Sequence, residues 1–226
     1  MIITVDGPGG SGKSTVSRIV ARKLGLPYLN SGFIYRAVTL LVMEDGADFE
    51  DRERVERLIK QIDLRFEEVG DRTRVFLGGR DVTRRLKDPD VTPRIYKIAN
   101  DGHYRELLLD VQRQFAVPHG AVAEGRDMGT VIFPQADFKF YLDASPEERA
   151  RREQMDLDAA GHSKSYADVL KEVLERDRHD RERAHAPLRV PTGAVMIRTD
   201  TLSIKDVVES ILKHVGSRSE SRGGTA

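Results

Sequence analysis

The chain of 226 residues has no cysteine, and that absence removes disulfides, thiolate nucleophiles and cysteine-based zinc sites at once. A reducing, cytosolic setting is the expectation. It also lacks tryptophan, and Phe and Tyr together make up only 6% of its residues, so there is no aromatic platform of the kind that stacks nucleic-acid bases. Charge of one sign is missing too: 37 Lys and Arg balance 37 Asp and Glu. A surface tuned as a whole to nucleic acid is excluded by that balance, and any basic site must be local. No long hydrophobic run occurs. The most apolar helical stretch, Ala37 to Met43, is far short of the ~20 residues that span a bilayer, so neither a membrane nor a nucleic acid is an expected partner. The N-terminus has no charged stretch followed by an apolar run and a small-residue cleavage site. Histidines 103, 119, 162, 179, 185 and 214 are scattered without metal-ligand spacing, and no zinc is expected. Nothing in the pattern calls for a second copy, so a monomer is the default.

The chain that remains alternates strand and helix. Ile2 to Val5 is a β-branched run that ends in Asp6 and a glycine-rich turn, and Lys13 to Leu24 then has helical periodicity. Further strands are predicted at Ala121 to Ala123, Lys139 to Leu142 and Ala194 to Ile197, with helices at 101–117, 146–158, 165–184 and 203–214. Such alternation predicts an α/β fold with a parallel sheet flanked by helices. One region departs from it: Asp63 to Glu68 and Thr73 to Leu77 alternate about Gly70 and Asp71, which predicts an antiparallel hairpin. We therefore expect a core of 1–30 and 101–215, an α+β insert at 31–100, and a small charged lid at about 147–164. The polar tail 216–226 is expected to fray, because it has almost no apolar surface to bury.

Gly7-Pro8-Gly9-Gly10-Ser11-Gly12-Lys13-Ser14 matches G-x-x-x-x-G-K-[ST] between a predicted strand and a predicted helix. In such a loop, glycines let backbone N–H groups converge on phosphate oxygens, and the helix N-terminus adds positive potential. Lys13 then reaches the β- and γ-phosphates, and Ser14 ligates Mg²⁺. The expected ligand is a Mg-bound nucleoside triphosphate, with Thr15 completing the segment. A P-loop alone does not separate a small-molecule kinase from a GTPase or a motor. No Asn-Lys-x-Asp guanine-reading pattern occurs, which disfavours the GTPase. Three clusters point instead to an anionic acceptor. Steps of three or four place Val169, Val173, Arg176, Asp180 and Arg183 on one stripe of a helix. Glu124 to Gly129 follows an apolar strand, where ligands of open α/β sheets bind. Asn30-Ser31-Gly32 followed by Tyr35-Arg36 reads as a cap, by Asn30 or Ser31, on a helix that carries Arg36 in its first turns. The first and third clusters also have a plainer reading, as solvated surface pairs and an ordinary cap.

Taken together and in order, GPGGSGKST, NSGFIYR, EGRDMGTVIFP, LDASPEERARR and ERDRHDRERAHAPL resemble the bacterial cytidylate kinases over nearly the whole chain. The hairpin-containing insert resembles the enlarged monophosphate-binding domain of that group. The resemblance implies ATP as donor, CMP and dCMP as acceptors, and Arg36, Arg126 and Arg183 on the acceptor phosphate. It places Arg176 and Asp180 at the ribose and Ser31, Arg105 and Asp127 near the base and phosphate. Tyr35 falls in the same acceptor motif. Lys13, Arg126, Arg183 and Asp127 are the residues expected to carry catalysis. Arg149 and Arg152, one helical turn apart, are expected to close over the donor phosphates, and Glu124 or Asp127 to support Mg²⁺ through water. A carboxylate at Asp127 suits the cytosine amine and an arginine at Arg105 suits N3 or O2, whereas uracil reverses both polarities. The chain departs from the family pattern at Tyr96, where many relatives have serine, at Asn30, where aspartate is common, and in the Gly-His-Tyr that precedes Arg105. A related kinase for UMP, AMP or a deoxynucleotide is the alternative within this class, and an RNA-binding module is the alternative outside it.

Overall fold

The computed structural model describes residues 1–70, 72–116, 119–159 and 161–223, with side chains described as far as residue 217. In chain order the elements are β1 (Ile2–Asp6), α1 (Lys13–Leu24), β2 (Tyr28–Asn30), α2 (Ser31–Asp45), α3 (Arg52–Lys60), β3 (Leu64–Val69), β4 (Arg72–Leu77) and β5 (Arg80–Asp81). They continue as α4 (Ile95–Ala99), α5 (Gly102–Ala116), β6 (Ala121–Gly125), β7 (Phe138–Asp143), α6 (Pro146–Ala159), α7 (Tyr166–Glu182), β8 (Val195–Arg198) and α8 (Ile204–Gly223).

The chain divides into two compact units. The first comprises Met1–Leu29 and Ala116–Ala226, and the second Asn30–Phe115. Its boundary differs from the expected end of the insert near residue 100, because α5 belongs with the second unit: Tyr104 donates to the Phe49 carbonyl, His103 bonds Glu56, and Phe115 packs on Phe66.

In the first unit, five strands form one sheet in the order β2-β6-β1-β7-β8. β1 pairs in parallel with β6 on one side and β7 on the other, and β7 pairs in parallel with β8. Every residue of β6 is buried, as expected for a parallel strand covered on both faces, so it reads as an apolar run rather than an alternation. α1 contributes Val16, Val20 and Ala21 to the core, and α8 contributes Val207, Val208, Ile211 and Val215, against Ile3, Val5, Phe140 and Leu142 of the sheet. Since β1 lies between strands reached in opposite directions, the order reverses at its carboxyl end, which is where open α/β sheets bind ligands.

The second unit carries the expected hairpin. β3 and β4 pair from Leu64↔Leu77 to Val69↔Arg72, and β5 extends the sheet on the other side of β4. β4 alternates exposed and buried positions, the signature of an antiparallel strand with one face on a core.

Two expectations, one from composition and one from spacing, differ from what is observed. α8 continues to Gly223, through most of the tail expected to fray from Gly216, and residues 224–226 lie outside those described. Adding one residue to an existing helix gains a backbone hydrogen bond without a new nucleation cost, so a polar segment can follow an anchored one. Arg183 does not lie on the α7 stripe, because it is the C-terminal cap, with φ −57° and ψ 141°, and its side chain leaves the helical register.

Candidate functional site

The first unit's site is built from two loops that leave neighbouring strand ends. β1 runs into Gly7, whose backbone so closely approaches β7 that an added Cβ would sit 2.0 Å from the Leu142 carbonyl oxygen, at φ +147°. Only glycine fits there. Pro8, Gly9, Gly10 and Ser11 form the arch, with Ser11 Oγ donating to the Pro8 carbonyl at 3.0 Å and Thr199 Oγ1 donating to the Ser11 carbonyl at 3.2 Å. Gly12, left-handed at φ 88°, caps α1, so no side chain occupies the first turn's N–H groups and no acidic residue lies there. That combination presents partial positive charge outward and suits an anion.

Lys13 is buried, and its Nζ donates to the Pro8 carbonyl at 2.6 Å and to Ser11 Oγ at 3.5 Å. Burial lowers its pKa to about 7, and the Arg126 guanidinium pushes the same way, while Glu124, Asp180 and Asp6 pull it back up. An arriving polyanion would supply the negative charge that restores the ammonium. Ser14 is exposed and Thr15 half-exposed on the first turn of α1.

The second loop follows β6. Glu124 is buried and accepts from Tyr28 Oη at 2.8 Å. Arg126 Nε donates to Asp180 Oδ2 at 2.6 Å, and Arg183 reaches Asp127 Oδ1 at 3.5 Å while donating to the Ala186 carbonyl at 2.7 Å. Burial works against ionised Asp180, but the charge and hydrogen bond of Arg126, followed by Arg183 and Arg176, hold its pKa below the usual carboxylate value. Thus Lys13, Glu124, Arg126, Asp127, Asp180 and Arg183 all belong to one charged network in the first unit. Asp6 is its organiser. This last residue of β1 accepts from the backbone N–H of Met128 at 2.7 Å and of Gly129 at 2.8 Å, pinning the turn that bears Arg126 and Asp127.

Arg149 differs from the expected flap residue. Its side chain is 1% exposed, makes a bidentate pair with Asp177, and donates to the Ala144 and Gly9 carbonyls. A buried guanidinium needs such partners, and these four bonds take most of its donors. Arg152 is partly buried and bonds Glu148, Thr199 and, at 3.5 Å, the Gly10 carbonyl. Arg176 is tied to Glu153 of α6 and lies over Gly9.

Within the second unit, Asn30, rather than Ser31, caps α2: its side chain accepts from the Phe33 N–H at 3.3 Å. Ser31 and Tyr35 are buried on that helix. Arg36 donates to the Leu86 carbonyl at 2.8 Å and to Thr92 Oγ1 at 3.0 Å. Arg105 is buried, donates to the Ala99 carbonyl at 3.0 Å, and stacks over the Tyr35 ring at 5.2 Å, while Tyr96 is half-buried on α4.

Sequence reasoning missed Asp6, Tyr28, Glu153 and Asp177. Asp6 reads as the end of a strand, Tyr28 falls in no predicted element, and Glu153 and Asp177 read as ordinary charges on charged helices. Their partners lie from 23 to 123 residues away, beyond any local pattern.

Among the described residues no cluster of three or more His, Cys, Asp or Glu could hold a metal by itself, and no helix is long and apolar enough to cross a membrane.

The cytidylate kinase family model matches residues 3–217. A cytidylate kinase from Carboxydothermus hydrogenoformans is 40% identical over 220 residues, covering 97% of this chain and 99% of that protein. One from Vibrio cholerae is 43% identical over 217 residues and 96% of both chains. A shikimate kinase from Bacteroides thetaiotaomicron is similar in fold, with a TM-score of 0.51 at 13% identity over 96% of this chain and 98% of that one. The chain is an α/β P-loop protein and belongs to the cytidylate kinase family.

Proposed function

We propose that this chain transfers the γ-phosphoryl group of ATP to CMP, and also to dCMP, giving ADP with CDP or dCDP. The observation that carries the reading is the junction of two loops at neighbouring strand ends. One is a phosphate cradle ending in Lys13, and the other bears Arg126, whose charge is felt at Lys13. Relatives named for cytidylate add the acceptor's identity.

In this reading an oxygen of the CMP phosphate attacks the γ-phosphorus of ATP, the bond from that phosphorus to the β-phosphate oxygen breaks, and ADP leaves. The acceptor phosphate has its second pKa near ~6 and is already largely ionised, so no general base is needed. The work left to the protein is alignment and charge compensation. Lys13 and the backbone of residues 7–12 hold the donor phosphates. Within the first unit, Arg126 and Arg183 hold the acceptor phosphate, Arg176 and Asp180 the ribose, and Asp127 faces the cytosine; the roles that the resemblance gives Arg36, Ser31, Tyr35 and Arg105 belong to the second unit.

Mg²⁺ fits the residues present. Ser14 offers one exposed hydroxyl at the head of α1, and Glu124 and Asp127 are buried carboxylates suited to bonding its waters. When bound, it would neutralise β- and γ-phosphate charge. The second unit serves acceptor binding.

The test is ADP release from MgATP with CMP, dCMP, UMP, AMP and GMP offered singly, beside a control without acceptor. Activity confined to CMP and dCMP is expected. Acceptor-independent hydrolysis, or preference for another base, would overturn the acceptor assignment and leave the family and fold untouched.

A further inference from the structure

α6 and α7 cross the phosphate loop at two adjacent points, one turn apart on α6. Arg149 and Glu153 approach Gly10 so closely that an added Cβ would lie 3.1 Å from each, and Arg176 covers Gly9, where a Cβ would meet its guanidinium at 2.9 Å. At the first crossing, Arg149 makes two parallel bonds to Asp177, at 2.8 and 2.5 Å, while the same guanidinium donates to the Gly9 carbonyl at 3.1 Å and the Ala144 carbonyl at 3.0 Å. Both side chains are nearly sealed from solvent, at 1% and 2% exposure.

A buried ion pair is weak evidence of stabilisation, because desolvation offsets the attraction and apolar replacements are often as stable. What an apolar pair could not do is bond the loop's own backbone. The planar fork supplies the four N–H bonds taken here by both carboxylate oxygens and two carbonyls, whereas an ammonium has three donors. Asp177 is followed on α7 by Asp180 and preceded by Arg176, so a guanidinium fixed by Asp177 ties the donor loop to the helix proposed to grip the acceptor.

We infer that Arg149 and Asp177 are a positioning pair: without touching either substrate, they set the Gly9 end of the phosphate loop against α7. This rests on the proposed reaction for its rate readout only. Nucleotide binding tests it separately.

The experiment uses the full chain with Arg149→Lys, Asp177→Asn, Asp177→Glu and the Arg149→Lys/Asp177→Asn double variant. Fold is checked by circular dichroism and thermal midpoint, and rates are measured well below each midpoint. A fluorescent ATP analogue is titrated without acceptor. For a loop misplaced by about 1 Å, kcat should fall roughly 10- to 100-fold. Analogue affinity should weaken together with kcat in both single variants, and the acceptor KM should stay within about twofold, as expected for a reporter of alignment. The double variant should be no worse than the poorer single, because the two act as one unit. Asp177→Glu keeps the charge pair but moves the guanidinium, so its kcat should drop with little change in midpoint, which keeps the test alive if the other variants fold poorly. Lower midpoints with unchanged kcat per folded molecule would reduce the pair to structure and overturn the proposal. So would weaker analogue binding in Arg149→Lys alone, with Asp177→Asn normal or tighter, because Arg149 would then contact the donor directly. If CMP is not the acceptor, the analogue titration still decides between these outcomes.

Discussion

The loops after β1 and β6 lie at the ends of paired parallel strands, yet they reach their shapes by different means. The first is made of backbone: Gly7 abuts Leu142, Gly12 is left-handed, and the first turn of α1 is left open to an anion. The second is held by a side chain from elsewhere, the Asp6 carboxylate, which fixes Met128 and Gly129 and thereby aims Arg126 and Asp127. A cradle for phosphate needs many weak donors in a fixed curve, which glycine backbone supplies. Gripping a developing charge needs a few strong donors at chosen points, and those have to be side chains braced by partners.

If that contrast holds, single side chains should matter most in the second loop. Arg126→Ala should lower kcat by about 10³-fold, the scale seen for charge-stabilising arginines. Ser11→Ala in the first loop removes a hydroxyl that bonds the Pro8 carbonyl and, at 3.5 Å, Lys13 Nζ. It should cost about tenfold or less, near one neutral hydrogen bond. Steady-state kinetics on both variants measures this, and equal losses would erase the distinction.

Backbone substitutions should reverse the ranking. At Gly7 the obstacle is the Leu142 carbonyl itself, at 2.0 Å, on a positive φ, whereas at Gly129 an added Cβ meets Thr4 Oγ1 at 2.8 Å and Pro191 Cγ at 2.9 Å. Side chains can shift and a sheet carbonyl cannot. Gly7→Ala should therefore cost about 3 kcal/mol or more, combining backbone strain with overpacking, and Gly129→Ala about 1–2 kcal/mol. In a domain of this size each kcal/mol lowers the thermal midpoint by roughly 2–4 °C, so calorimetry resolves the two.

The same contrast explains what could be read from the sequence. The phosphate loop is eight consecutive letters between a strand and a helix, and it is found where its pattern predicts. Strands β6, β7 and β8, the β3–β4 hairpin and helices α5, α6 and α7 lie within two residues of their predicted bounds, because burial of one face leaves a period in the chain. The brief strand β2 and the full length of α8 left no such signal. Of the residues proposed to meet the acceptor, Arg126, Asp127 and Asp180 are singled out by spacing and resemblance, but the pairing of Arg126 with Asp180 across 54 residues is not. Arg149 shows the limit best. A charged helix beside a glycine-ended loop reads as a solvated lid, and only its buried partner, Asp177, reveals the side chain as interior.

Asp6 gives the finest test of the comparison, because it separates bracing from charge. Burial raises its pKa from 3.8 to about 7, against the two backbone hydrogen bonds that favour ionisation; Asp127 adds to the rise and Lys13 opposes it. A carboxyl whose folded pKa is raised holds its proton more tightly in the native state. Its contribution to stability is full below the unfolded pKa and is lost as pH rises through the folded value, so between about pH 4 and 7 it makes stability fall with rising pH. Asp6→Asn has no such proton. It also meets two backbone donors with one carbonyl and one amide, which should cost about 1–2 kcal/mol for the hydrogen bond left unmade. Urea unfolding of both proteins across this range should give a stability difference that favours the native residue most at the acid end and shrinks toward pH 7. The carboxylates common to both chains, Asp180 among them, cancel in that difference. A difference that stays level with pH would mean that Asp6 is ionised throughout and braces the second loop by charge as well as by geometry.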